Sequence, residues 1–309
     1  MMVILIVILS IILGMILIIL GICFAIYRLI FTINKKERLD DYRIEGNPTY
    51  SGYEETITKM VQHIASLPYE DIYIKSKDRT KLHARLLRGN SNRVAILCHG
   101  YHGSAYRDSS GMGPYLYEKD FNVLLIDERA HGLSKGHAIT FGHKEKKDLL
   151  CWINKMKEMF SNDIEITVFG ISMGGATVLM ASEYLDKNVK IIADCPYNTT
   201  NEILSNSIKK LGLPFKLAYP LLFLSALLFA NFNIKKDNAS NAIKKSNSKI
   251  LIIHGTSDSI VPQPISERIY LENKDKVQYE TFIGAEHGMS CMQDKERYIS
   301  LVNNFLDIK

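Results

Sequence analysis

The sequence lacks any block of consecutive basic residues long enough to track a phosphate backbone. Its 38 basic and 33 acidic side chains are interspersed, and the formal net charge is only +5. This pattern argues against nucleic acid as a partner. A Cys-x-x-Cys pair is also missing. The five cysteines, Cys23, Cys98, Cys151, Cys195 and Cys291, are odd in number and scattered, so neither a zinc site nor a dithiol exchange centre is expected. They read as buried free thiols of a reducing compartment. Internal repeats and low-complexity stretches are absent as well.

Charge is missing altogether from Met1 to Tyr27, where Ile, Leu and Val dominate. About 20 such residues cross the hydrocarbon core of a bilayer. The basic start, short apolar region and small-residue cleavage site of a signal peptide are not seen, so residues 1–33 are expected to form a retained transmembrane anchor. Arg28, Lys35, Lys36, Arg38 and Arg43 follow the span and none precedes it, which predicts a cytoplasmic catalytic domain. Ile22 stands before Cys23, where a lipidation box has a small residue, so a lipoprotein is not expected.

What is present is ample material for a core: 47% of the 309 residues are hydrophobic. Residues 34–66 are polar, with Gly46-Asn47-Pro48 breaking any long helix, and read as a juxtamembrane linker plus a short helix. From residue 67 to residue 309, β-rich apolar runs at 94–98, 123–126, 167–169, 189–193, 250–253 and 277–282 alternate with helix-length stretches. Such alternation predicts a mostly parallel sheet covered by helices on both faces. In that architecture, functional groups belong on loops at the carboxyl ends of the strands. His99, Asp127, Ser172, Asp194, Asp258 and His287 all follow one of these runs.

A second apolar stretch, residues 217–234, carries no charge. A membrane span there would put Asp258 and His287 on the opposite side from Ser172, and Pro220 interrupts the helix. Residues 196–247 are therefore expected to be a cap insertion over the site, with contact to the bilayer surface as the other reading.

The chemistry centres on Gly170-Ile171-Ser172-Met173-Gly174-Gly175, which sits between a β-rich run and a helix-like one. That context is what a nucleophile elbow requires: small residues two places either side of the serine let strand and helix approach. A glycine-rich turn before a helix can instead cradle a phosphate or simply pack. A serine hydroxyl needs a histidine to take its proton and an acid to orient that histidine. His287 in Glu286-His287-Gly288 is the expected base and Asp258 the expected acid, with Asp194 the alternative. His63, His83, His131, His137 and His143 show no metal-like spacing. Backbone N–H groups of Met173 and of Tyr101, in Cys98-His99-Gly100-Tyr101-His102-Gly103, are the expected oxyanion donors, with His102 the rival of Tyr101.

Taken together, His99-Gly100, Asp127-Glu128-Arg129-Ala130-His131-Gly132-Leu133-Ser134, the serine turn, His254-Gly255-x-x-Asp258-x-x-Val261-Pro262 and Glu286-His287-Gly288 resemble the motifs of the α/β-hydrolase superfamily over residues 69–309. Within it they look most like bacterial membrane-anchored hydrolases of the serine aminopeptidase and prolyl-oligopeptidase-like branch. The resemblance implies an α/β fold with about eight strands, acyl-enzyme chemistry, and neither cofactor nor metal. Asp127 matches a motif that is mostly architectural, and Ala130 departs from the glycine common in it. Hydrolysis of a carboxylic ester of a small-molecule or lipid-like acyl compound is the expected function. Peptide or thioester cleavage is the enzymatic alternative, and a non-catalytic membrane-tethered binding module the alternative of another class.

Overall fold

A computed structural model describes residues 1–38, 44 and 48–308; Arg43, Gly46, Asn47 and Lys309 lie outside them. Helices α1 (Met2–Ile30), α2 (Lys35–Arg38) and α3 (Glu54–Ser66) precede the strands β1 (Glu70–Lys75), β2 (Lys81–Leu87) and β3 (Arg93–Cys98). Helices α4 (Ala105–Ser109) and α5 (Gly113–Glu118) lead into β4 (Asn122–Asp127), and α6 (Glu145–Met159) into β5 (Glu165–Ile171). Helix α7 (Met173–Ala181) is followed by β6 (Lys190–Asp194). Helices α8 (Thr200–Lys210), α9 (Phe215–Ser225) and α10 (Ala239–Lys245) come before β7 (Ile250–Gly255). Then come α11 (Pro264–Leu271), β8 (Val277–Phe282), α12 (Ser290–Gln293) and α13 (Lys295–Leu306).

The eight strands form one sheet in the order β1-β2-β4-β3-β5-β6-β7-β8. The pairs β1/β2 and β2/β4 are antiparallel and the rest parallel. The six apolar runs of the sequence are β3 to β8. All residues of β4 and β7 are buried, because helices cover both faces there. Alternate side chains serve opposite layers: Val94, Ile96 and Cys98 join the core with α7, whereas Ala95 and Leu97 join the one with α3 and α13. The edge strand β1 is mostly exposed and reads Glu-Asp-Ile-Tyr-Ile-Lys, so it lacks the apolar run that marks its neighbours.

The two segments ahead of the sheet are built into it. Ile57, Val61 and Ile64 recur along one side of α3 and are buried. At the end of α1, Phe31 is wholly buried, edge-on to Phe141 (5.6–6.0 Å ring separations are found with Phe232 and Phe141). Its carbonyl accepts from the Ile139 N–H (2.8 Å), and the Tyr27 hydroxyl donates to the His137 carbonyl (2.5 Å). Arg38 donates from Nε to the Gly132 carbonyl (2.7 Å) and from its guanidinium to Ser134. The end of α1, Arg38 and α3 are thus docked on the sheet domain by a buried aromatic, several hydrogen bonds and a buried helix side.

The loop after β4 is organised by Asp127. Its carboxylate takes His83 Nδ1 (2.6 Å) and the Leu133 N–H (2.8 Å), and a Cβ on Gly132 would fall 2.2 Å from it. Ala130 has φ +64, a left-handed backbone that explains why glycine suits this position and that costs an alanine about 1 kcal/mol.

Glu128, next in the chain, is buried, and among the described residues no nitrogen or oxygen donor reaches its carboxyl. Burial, reinforced by the charges of Glu145 and Asp148, holds its pKa well above the usual carboxylate range. The group therefore stays protonated to higher pH in the folded state than in the unfolded one, where it ionises above about pH 4.3. Its contribution is complete below that pH and is lost as pH rises toward the folded pKa. Glu128→Gln keeps the shape and stays neutral. Its melting temperature relative to wild type is expected to climb as pH rises above about 4.3; a difference independent of pH would contradict this.

Candidate active site

Strand β5 runs directly into α7 with Ser172 at the junction, at φ +56 and ψ −113. That conformation is sparsely populated for a residue with a Cβ and is held by its surroundings. The Ser172 N–H donates to the Asp194 carbonyl (2.9 Å), and the Ser172 carbonyl accepts from Ala176 (2.9 Å). The neighbouring glycines are steric necessities. A Cβ on Gly170 would lie 2.2 Å from the backbone of Gly174, and one on Gly174 would lie 2.1 Å from the Cys98 carbonyl oxygen. All nine residues of α7 are buried, so the turn cannot relax by shifting the helix.

The loops after β7 and β8 bring two further side chains to this turn. His287 Nε2 lies 2.8 Å from Ser172 Oγ, and its Nδ1 lies 2.7 Å from Asp258 Oδ2. The other carboxylate oxygen of Asp258 accepts the N–H groups of Ile260 (2.9 Å) and Val261 (2.7 Å). Burial alone would raise the pKa of Asp258, but hydrogen bonds from His254 and His287 outweigh it and keep the carboxyl well below its ordinary value. The acid is thus ionised and fixed, and the Ser172 hydroxyl stands at the far end of the row.

Asp194 is engaged elsewhere. Its carboxyl accepts from the Tyr298 hydroxyl (2.9 Å) and from Ser290 Oγ (3.3 Å), and complete burial raises its pKa to about 6. A partner the sequence did not single out is His254, fully buried, whose Nε2 lies 3.1 Å from the same Asp258 oxygen and 2.9 Å from the Val261 carbonyl. The signal was its position at the end of β7, four residues before Asp258.

In the loop after β3, the Gly100 N–H donates to Asp108 (2.7 Å) and the His102 N–H to His131 Nε2 (3.2 Å). The rival backbone donor, His102, is therefore turned toward His131. Tyr101 lines the same cavity as Ser172, and its hydroxyl donates to the Ile30 carbonyl at the end of α1 (2.9 Å). His99 braces the loop, with Nδ1 2.8 Å from the Gly100 carbonyl and Nε2 accepting from Glu128 N–H (3.0 Å). Met173 opens α7, where first-turn N–H groups have no partner within the helix.

A cavity of about 490 Å³ opens beside Ser172 and His287, within the usual range for small-molecule sites. Ile57 and Met60 of α3 form one wall, and Met112, Met289 and Met292 supply flexible apolar surface. Residues 196–247, expected to cap the site, contribute none of the lining residues among those described; α9 packs along α1 instead. One group of potential metal ligands gathers among the described residues, Cys195 with Asp258 and His287. Two of them already belong to the hydrogen-bonded row, and burial pushes the Cys195 thiol well above its ordinary pKa, which disfavours the thiolate a metal requires.

Comparison with known proteins agrees with this fold. The family model described as serine aminopeptidase, S33, matches residues 89–227. The uncharacterized protein YqkD of Bacillus subtilis is 27% identical over 215 residues, covering 69% of this chain and 70% of its own length. The uncharacterized protein YfhR of Escherichia coli K12 is 25% identical over 228 residues, covering 71% and 73%. Among solved structures, the Pyrococcus furiosus esterase Pf2001 superposes with a TM-score of 0.64 at 24% identity, over 87% of this chain and 97% of that one. The α/β hydrolase GrgF of Penicillium superposes with a TM-score of 0.63 at 18% identity, over 78% and 98%. With its eight-stranded sheet, its strained serine between β5 and α7 and these matches, the chain has the α/β-hydrolase fold.

Proposed function

We propose that the chain is a membrane-anchored serine hydrolase that cleaves carboxylic esters, lipid-like ones included, through an acyl-enzyme intermediate. The observation that carries this reading is the row Ser172 Oγ, His287, Asp258, with spacings of 2.8 and 2.7 Å, at the edge of a cavity. In the mechanism, Ser172 Oγ attacks the acyl carbon as its proton passes to His287 Nε2, and Asp258 stabilises the imidazolium. The N–H groups of Met173 and Tyr101 stabilise the oxyanion. Collapse expels the alcohol with the proton held by His287, and water then releases the acid by the same route.

The apolar α1 supports anchoring, and the basic residues that follow it support a cytoplasmic site. The likeness to an esterase supports ester substrates, while the description of the matched family makes amide cleavage the second reading. The test compares short soluble acyl esters, the same acyl groups in vesicle lipids, and aminoacyl amides, using wild type and Ser172→Ala. Faster turnover of the lipid-presented ester, lost on Ser172→Ala, is expected. Amides cleaved faster than esters would replace the ester reading, and equal rates with and without a bilayer would remove the lipid one.

A further inference from the structure

Helix α9 runs beside α1 in the same direction. Cys23 Sγ donates to the Leu221 carbonyl (3.6 Å), and Ser225 Oγ donates to the Cys23 carbonyl (2.8 Å). Further along, the Phe229 ring meets Phe24 (5.4 Å) and Tyr27 (5.9 Å). Residue numbers rise together along this contact, so α9 enters it from the side of the exposed apolar part of α1. Phe215, which opens α9, precedes Leu221 by six residues, about 9 Å along the axis. The start of α9 therefore reaches past the docked end of α1 toward its free apolar portion, and the turn joining α8 to α9 lies at that end of the helix.

This turn carries a large apolar side chain at every second position, and all are exposed: Leu211 (72%), Leu213, Phe215 and Leu217 (70%). Lys209, Lys210 and Lys216 flank them, and no acidic residue occurs between Glu202 and Asp237. Apolar side chains ringed by lysine alone match a bilayer with anionic headgroups, where the rings and leucines enter the acyl boundary and the ammonium groups of Lys209 and Lys216 stay at the phosphates. The same lysines would repel one another across a contact between two copies of the chain.

We propose that residues 209–217 form a second membrane-contact element, inserted into the headgroup region of the bilayer that α1 spans. This rests on reading α1 as a membrane span. It has a consequence for the site. Lys210 Nζ donates to the Ser259 and Ile260 carbonyls, in the loop that holds Asp258, and Ile260 lines the cavity. Seating the turn therefore presents the cavity rim to the surface where an amphiphilic ester resides.

Tryptophan depth measurement on the full-length chain tests this. The native Trp152 is buried and contributes a constant background. Leu217→Trp, Leu9→Trp and Glu158→Trp are reconstituted into vesicles of phosphatidylcholine and phosphatidylglycerol, with and without brominated acyl chains. Loss of most of the added fluorescence is expected for Leu9→Trp and Leu217→Trp, and no loss for Glu158→Trp. Quenching of Leu9→Trp without quenching of Leu217→Trp would overturn the proposal and leave the span intact, whereas no quenching of either would remove the span itself. Shielding of Leu217→Trp from iodide in detergent that grows with protein concentration would assign the patch to a second copy and overturn the proposal.

Discussion

Asp258→Asn is expected to lower kcat about 10⁴-fold with little change in KM. The carboxylate receives His287 Nδ1 at 2.7 Å, which leaves Nε2 without its proton and able to take one from Ser172 Oγ at 2.8 Å. An asparagine amide turned toward the imidazole reverses the tautomer and leaves Nε2 protonated, where it is useless as a base. It also removes the negative charge that stabilises the imidazolium in the transition state. Asp194→Asn is expected to act differently, since its carboxyl serves Tyr298 and Ser290 and not the imidazole. Steady-state kinetics of the two variants decide the matter. Turnover abolished by Asp194→Asn and spared by Asp258→Asn would reverse the assignment.

Phe31→Ala is expected to cost about 3–5 kcal/mol of stability, a drop in melting temperature on the order of 10 °C for a chain of this size. The ring is fully buried between Phe141 and Phe232, and deleting it leaves a cavity in the packed layer that also contains α7. Activity should fall as well, because Phe141 also stacks on Tyr101 (5.0 Å), the expected oxyanion residue. Thermal unfolding of the full-length protein in detergent measures the effect. An anchor joined by a passive linker predicts no change, and that result would contradict the docking of α1. By the same reasoning, a chain begun at Leu67 would lack Phe31 and the buried Ile57, Val61 and Ile64, and would expose the core they cover.

What the sequence made legible follows from how local each constraint is. The turn at Ser172 could be read directly, because the steric demand at Gly170 comes from Gly174 and Gly175, within five residues, although the demand at Gly174 comes from Cys98 on the neighbouring strand. The strands β3 to β7 were visible as apolar runs, since nearly all of their residues are buried, while the edge strand β8 buries only Val277 and Phe282. Strands β1 and β2 mix charged and apolar residues and stand out far less. The place of α9 was not legible: the Cys23–Leu221 contact joins residues 198 positions apart, and an apolar stretch with a distant partner looks like a cap. Residues 34–66 read as a linker plus a short helix, and the spacing of Ile57, Val61 and Ile64 shows an apolar side of that helix without showing what covers it, or that Met60 reaches the cavity. His254 was hidden by its neighbour, since a histidine four residues before an acid identifies no role until the fold closes on both.

Fluorophosphonate labelling of the full-length protein, followed by mass mapping of the modified peptide, bears most directly on the claim that Ser172 is an activated nucleophile. One adduct per chain on Ser172 is predicted, absent from Ser172→Ala and strongly slowed in His287→Ala. Labelling of Ser172→Ala equal to that of wild type, or an adduct on another residue, would contradict it.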